Sequence, residues 1–119
     1  MKNEWEQRLY DAKKERDRNY DLRNVFSRKA NVLCEDMDER IRRMDQYLSS
    51  KSMSEKDKLE YAEKRLTARN RRIDFDDLMD DLKKRINKQC EESDNNVYKL
   101  EHMVREMREN DEEINKKDR

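Results

Sequence analysis

Few side chains in this sequence have the type and spacing that metal binding or catalysis requires. The single histidine, His102, lies beside Met103 and away from any Cys, His or carboxylate cluster at metal-ligand spacing, so we interpret it as a surface residue. The acidic stretch from Asp74 to Asp81 has no glycine and lacks the ligand spacing of an EF-hand loop, which disfavours calcium binding. We therefore expect neither a metal site nor a cofactor.

The two cysteines, Cys34 and Cys90, lie 56 residues apart, and neither belongs to a Cys-x-x-Cys or Cys-His motif. Zinc-binding and dithiol redox motifs are thus missing from the sequence. Both cysteines fall on apolar helical stripes, so we interpret them as small buried hydrophobic residues. The helix pairing predicted below places Cys90 near Lys13 and far from Cys34, which predicts no disulfide between the two thiols.

The chain contains no glycine, and this removes several catalytic architectures at once. A phosphate-cradling loop, a nucleophile elbow and a Rossmann turn all need glycine where the backbone turns sharply or approaches a ligand. A pair of packed helices also offers little room for a small-molecule substrate. We therefore predict that the chain is not an enzyme.

A cluster of basic and aromatic residues near the N-terminus is the one candidate for nucleic-acid binding. It comprises Tyr10, Lys13, Lys14, Arg16, Arg18 and Tyr20. Interleaved Glu15, Asp17 and Asp21 cancel most of its positive field, and the formal net charge of the chain is zero. Nucleic-acid binding is therefore kept only as an alternative.

No apolar run approaches the roughly 18 residues of a membrane span, and the N-terminal residues lack the apolar core of a signal peptide. Helix faces as acidic as they are basic also disfavour binding to a membrane surface. We expect a cytoplasmic location, with the nucleus as the alternative.

The composition predicts an all-α fold. Half of the 119 residues are charged, 32% are hydrophobic, and the chain has no glycine and no proline, where roughly fourteen of the two together would be usual. The usual helix breakers and hairpin-turn residues are thus missing, which excludes a β-rich fold. The same polarity is typical of disordered chains, but the helical periodicity of the apolar residues favours helices.

The apolar spacing predicts two long helices, over about residues 2–49 and 54–118. The stripe of the first helix falters at Arg16 and Asn19 before it resumes at Leu22. The stripe of the second helix is narrow, and such a stripe on a highly charged helix needs a second helix to bury it, as in a coiled coil. In that helix, steps of three and four residues connect Val97, Leu100, Val104 and Met107.

A turn is predicted over residues 49–54, the only cluster of small polar residues that disfavour helix. Ser54 with Asp57, or Ser52 with Glu55, has the spacing of a helix N-cap. The functional alternative to a purely structural turn is that these serines are phosphorylated. At residues 92–96 we expect a continuous or kinked helix, because the apolar stripe stays in phase there. A second break at these residues is the alternative.

A turn near residue 51 or 52 folds the helices into an antiparallel hairpin in which apolar positions face one another. This pairing places Met37 opposite Leu66, and Trp5 near Tyr98. The residues expected to form the helix–helix interface are Leu22, Phe26, Leu33, Met37, Ile41, Met44, Leu59, Leu66, Ile73, Leu82, Ile86, Val97, Leu100, Val104, Met107 and Ile114.

The same pairing leaves residues after about 102 without a partner in their own chain. Because Val104, Met107 and Ile114 continue the apolar stripe there, we expect association into a dimer or a larger helical bundle.

A basic cluster is followed directly by an acidic one in the second helix. The basic residues are Arg65, Arg69, Arg71 and Arg72, and the acidic ones are Asp74, Asp76, Asp77, Asp80 and Asp81. One interpretation is a solvated face with self-complementary charge. The other is a docking patch, or a device that sets helix register across an interface.

Residues 1–119 are thus predicted to form one helical coiled-coil region, a structural or adaptor protein that associates with itself or with a helical partner protein. In a general way the long charged helices resemble segments of cytoskeletal and tethering proteins. A three-helix repeat similar to that of spectrin, broken near residues 51 and 94, is the alternative architecture.

Overall fold

The computed structural model describes residues 3–50 and 52–117, and the side chains of Asn115 and Lys117 are left out of the description. Helix α1 spans Glu4–Leu48 and helix α2 spans Glu55–Lys117. The described residues contain no strand. Three predicted positions lie outside the described residues: Lys2 and Asp118 of the two helices, and Lys51 of the turn.

Asn3 caps the N-terminus of α1, since its side-chain Oδ1 accepts a hydrogen bond of 2.8 Å from the backbone N–H of Glu6. Glu4 and Glu6 place negative charge in the first turn, where it favours the positive end of the helix. At the other end, the backbone N–H of Ser50 bonds to the carbonyl of Tyr47 over 3.1 Å. This tighter turn ends α1 without a glycine.

Ser54 caps α2, and the predicted pairing of Ser54 with Asp57 is confirmed. The Oγ of Ser54 accepts from the backbone N–H of Asp57 at 3.2 Å. The hydroxyl of Ser52 instead shares a hydrogen bond of 2.8 Å with that of Ser50. The alternative cap formed by Ser52 and Glu55 is therefore wrong.

Residues 92–96 lie within α2, so the second helix is continuous there. The Oγ of Ser93 donates to the carbonyl of Gln89 at 2.9 Å, a local bond that a helical serine can make without breaking the helix. The break that a three-helix repeat needs near residue 94 does not occur among the described residues.

The chain divides into two compact units. The terminal unit comprises Met1–Asn24 and Arg85–Arg119, and the central unit comprises Val25–Lys84. In each unit a segment of α1 packs antiparallel against a segment of α2, as the cross-helix contacts below show. The all-α, antiparallel hairpin predicted from the sequence is confirmed.

In the central unit, half-buried side chains recur at steps of three and four along both helices, and we call these positions the seam. In α1 they are Phe26, Ala30, Cys34, Met37, Ile41, Met44 and Leu48. In α2 they are Lys58, Tyr61, Arg65, Ala68, Arg72, Phe75, Met79 and Leu82. This spacing is that of a coiled coil, and its α2 side includes three cationic residues.

The seam of the terminal unit is more fully buried, with Ala12, Cys90, Val97 and Val104 as its core. Its α1 positions are Trp5, Leu9, Ala12, Arg16, Asn19 and Arg23. Its α2 positions are Ile86, Cys90, Ser93, Val97, Leu100, Val104 and Met107. The four core residues are small, which permits close approach of the two helices.

The predicted pairing register is wrong in the central unit. It placed Met37 opposite Leu66, whereas the next residue, Asp38, pairs with Arg72. Each α1 residue thus meets a partner about two helical turns further along α2 than predicted. The prediction assumed a symmetric turn, but Tyr47 in the last turn of α1 contacts Tyr61 in the second turn of α2, with ring centroids 5.5 Å apart.

The register is also wrong in the terminal unit, where the shift gives the C-terminal stripe a partner. Lys13, expected near Cys90, pairs with Glu101 at 3.8 Å, and Glu6 pairs with Arg108 at 3.1 Å. Val104 is therefore only 5% exposed. The expectation that residues after about 102 lack an intrachain partner is wrong for Val104 and Met107, whereas Ile114 is 57% exposed.

Candidate helix-docking surface

Two ion pairs of the same type cross the central unit one heptad apart. Arg65 of α2 bonds through Nε to Asp45 of α1. Arg72 bonds through Nε to Oδ1 of Asp38 at 2.9 Å. The two aspartates are seven residues apart in α1, and the two arginines are seven residues apart in α2. Both pairs therefore hold the same register.

Arg72 is the more enclosed of the two arginines, with a side chain 20% exposed. Its second contact is Asp76, one turn further along α2. The hydrogen bonds from Asp38 and then Asp76 raise the pKa of the guanidinium further above its usual range. The side chain is thus charged and doubly paired at a position where a coiled coil usually places an apolar residue.

A second polar layer crosses the terminal unit, and it explains why the stripe of α1 falters at Asn19. The side-chain amide of Asn19 donates to the hydroxyl of Ser93, which also occupies a seam position. Next to it, the phenol of Tyr20 donates to Oδ2 of Asp94 at 2.6 Å. That hydrogen bond raises the pKa of Tyr20, with burial as the second cause. Polar residues therefore face polar residues across this layer.

Three of the exposed apolar side chains outside the central seam form a row on α2. Leu59, Leu66 and Ile73 are spaced by seven residues, and their exposed fractions are 70%, 60% and 59%. Each follows a seam residue by one position, so the row lies on one flank of the helix. We call these three residues the outer stripe. Exposed apolar residues that recur at heptad spacing are typical of a surface that receives another helix.

The remaining residues of the predicted interface divide by exposure. Val97 and Val104 are buried between the two helices of the terminal unit. Residues that are half-buried at seam positions of their own unit are Phe26, Met37, Ile41, Met44, Leu82, Ile86, Leu100 and Met107. Leu22, Leu33 and Ile114 are exposed, at 51%, 50% and 57%. Like the outer stripe, these three lie outside the seam, and their role in binding a partner stays a prediction.

The apolar pattern does not predict the seam role of Arg65 and Arg72, which belong to the basic cluster interpreted as a solvated face or as a patch that sets register. The same pattern assigns Leu66 and Ile73 to the intrachain interface because they are apolar. A usable indication was present, since Asp38 and Asp45 repeat the seven-residue spacing of the two arginines. Matching charged residues by spacing, as well as apolar ones, gives the register that the structure has.

A groove of about 630 Å³ lies on the other flank of α2. Its lining includes Met37 and Met44 of α1, Ala68 of α2, and the basic residues Lys64 and Arg71. It is open to solvent along the helices, and its apolar residues belong to the seam. This groove is therefore an extension of the intrachain contact.

The basic residues proposed for nucleic-acid binding are largely engaged within the chain. Lys13 pairs with Glu101, and Arg16 pairs with Asp17 at 3.6 Å. The ammonium of Lys14 lies 4.5 Å from the centre of the Tyr10 ring. Lys14 and Arg18 are exposed, so nucleic-acid binding stays the alternative prediction.

Within residues 3–50 and 52–117, no group of three or more His, Cys, Asp or Glu side chains is arranged to hold a metal ion. In the same part of the chain, neither helix contains an apolar stretch long enough to cross a lipid bilayer. Cys34 and Cys90 are free thiols, the first half-buried and the second buried.

The fold and the seam define a two-helix antiparallel hairpin of the coiled-coil class. Searches with the whole chain found no match among protein-family models, curated proteins or solved structures.

Proposed function

We propose that the chain is a structural or adaptor protein that works by helix–helix association and catalyses no reaction. The observation that carries this proposal is the outer stripe. Leu59, Leu66 and Ile73 repeat the spacing of a coiled-coil interface, although the partner helix of their own chain packs against a different face.

The stability that the central unit loses by leaving apolar side chains exposed supports a binding role. Fully burying a leucine or isoleucine side chain stabilises a protein by roughly 1.5–3 kcal/mol. The central unit instead seats Arg65 and Arg72 between its helices, and leaves Leu66 and Ile73 outside. A sequence selected only for intrachain stability would have the reverse order, and this supports a binding role for the exposed row.

Photo-crosslinking tests the proposal at single positions. A photoreactive amino acid is placed at Leu66 on the outer stripe and, as a matched control, at Lys64 on the other flank of α2. Both positions are exposed, so both variants should fold. We expect a discrete protein adduct at position 66, in the purified chain or in extract from cells that express it, and much less adduct at position 64. Equal diffuse labelling at the two positions in both settings would contradict the proposal.

A further inference from the structure

We infer that the central unit opens as one cooperative segment, at a lower free energy than the terminal unit requires, and that the cationic residues of its seam set this difference. Opening here means that the segments of α1 and α2 within Val25–Lys84 lose their pairing. The inference concerns one chain and does not rest on the proposed function. Proteins open locally in contiguous units of unequal stability, and the least stable unit opens most often.

The two units differ in how completely their seams exclude water. In the terminal unit, Cys90 and Val97 are each 3% exposed, and Ala12 and Val104 are 6% and 5% exposed. Among the described residues of the central unit, none is buried to this extent. Hydrophobic stabilisation is roughly proportional to the apolar area removed from water, so pairing in the central unit is the weaker of the two.

Cationic side chains occupy seam positions at heptad spacing in the central unit. They are Lys58, Arg65 and Arg72 of α2. The carboxylates that pair with the two arginines stay largely in water, since the side chains of Asp45 and Asp38 are 47% and 61% exposed. Ion pairs as open to solvent as these contribute little to stability. Each paired arginine thus replaces an apolar contact of the seam with a weak ionic one.

The terminal unit also has cations at seam positions, Arg16 and Arg23 of α1, but these lie opposite small residues. The hydrogen-bonded polar layer of that unit places Arg16 near the level of Val97 and Arg23 near that of Cys90. Small side chains leave room for the aliphatic part of an arginine to lie along the seam. The arginines of the terminal unit therefore leave its core buried.

Large side chains lie opposite one another in the central unit. The two ion pairs place Met37 near the level of Arg72, and Met44 near the level of Arg65. The groove of about 630 Å³ lies beside them, with Met37, Met44 and Ala68 in its lining. Apolar side chains that border open space have no packing contacts on that side. The helices of the central unit thus gain less from pairing.

Amide hydrogen exchange of the full chain, followed by mass spectrometry of its peptides, tests the inference. We expect residues 26–46 and 59–84 to share one protection factor, at least about tenfold lower than that of residues 9–24 and 86–107. Equal protection in the two units would overturn the inference. Protection that falls gradually toward the turn would also overturn it, because that result describes fraying of the helix ends.

R65M combined with R72M tests the role of the seam cations. Methionine removes the charge and keeps a long side chain, and the exposed aspartates left behind stay hydrated. We expect the protection of the central unit to rise at least about fivefold, on both helices, with that of the terminal unit unchanged. K56M combined with R69M is the matched control, because it removes two charges from exposed positions of α2 outside the seam. It should change protection less than about twofold.

The exchange of α1 in the seam variant is the decisive measurement, because α1 carries no substitution there. A rise in its protection reports tighter pairing, and loss of folding cannot imitate a rise. Protection that increases in α2 alone, or equally in the control variant, would assign the effect to helix propensity or net charge. Either result would overturn the inference.

Discussion

Arg72 of α2 and Asp38 of α1 form a 2.9 Å ion pair between the helices of the central unit, at a position where a coiled coil usually buries an apolar side chain. An ion pair that is partly removed from water contributes little stability, but a change of register would separate Arg72 from Asp38 and leave it only Asp76, in its own helix. Together with Arg65 and Asp45, one heptad away, it fixes which residues of α2 face α1. Leu59, Leu66 and Ile73 are left outside as a consequence.

This relationship predicts unequal effects when either partner is removed. D38A leaves Arg72 enclosed without its main partner, and we expect the free energy of unfolding to fall by about 1 kcal/mol. R72M removes the charge and adds an apolar side chain at a seam position, so it should leave stability unchanged or raise it. Urea denaturation followed by circular dichroism measures both variants. A loss with R72M as large as that with D38A would show that the ion pair itself stabilises the seam.

The burial of Val104 within the terminal unit can be tested by mutation. V104K places a charge at a position that is 5% exposed, and we expect the free energy of unfolding to fall by roughly 2 kcal/mol or more. I114K is the matched control on the same helix, because Ile114 is 57% exposed. It should change stability by less than about 0.5 kcal/mol. Thermal and urea unfolding measure the loss of unfolding free energy in both variants. Equal losses would contradict the buried position of Val104.

The hydrogen bond from Tyr20 to Asp94 predicts a pH dependence. The fold raises the pKa of Tyr20 above its unfolded-state value, so the bond contributes its full stability below about pH 10 and loses it as the pH rises through the raised pKa. We expect wild type to be more stable than Y20F at neutral pH, and the difference to shrink above about pH 10. Melting temperatures of both proteins across this range measure the effect. The other four tyrosines are common to both proteins, so a difference that is constant with pH would contradict the assignment.

The two cysteines should differ in reactivity. Cys90 is 3% exposed in the core of the terminal unit, whereas Cys34 is half-buried. We expect a thiol reagent to modify Cys34 several-fold faster than Cys90 under native conditions, because Cys90 reacts only after local opening of the helices. Peptide mass spectrometry after timed labelling distinguishes the sites, and labelling in denaturant gives the intrinsic rates. Equal native rates would place Cys90 outside the core.

The sequence predicts the helices well because their determinants are local. The missing glycine and proline, the cap at Ser54 and the steps of Val97, Leu100, Val104 and Met107 all act within a few residues along the chain. These features account for two helices, an antiparallel turn and a seam in the terminal unit, as the structure has them.

Pairing register is a long-range property, and the apolar pattern of the central unit is ambiguous about it. Leu66 and Ile73 have heptad spacing, and so do Arg65 and Arg72, which lie one position earlier. The two rows lie on different sides of the helix. Only the match to Asp38 and Asp45 selects the arginine row for the seam, and hydrophobicity alone does not contain that information.

The pairing register decides which apolar residues lie between the helices and which remain outside. Disulfide formation in a chain whose native cysteines are replaced by alanine tests it most directly. The side chains of Asn19 and Ser93 touch in the structure, so N19C with S93C should oxidise readily to an intrachain disulfide. A symmetric turn instead places Ser93 opposite Tyr10, so Y10C with S93C should stay reduced. Rapid crosslinking of positions 10 and 93, with none between 19 and 93, would contradict the register and the outer stripe that follows from it.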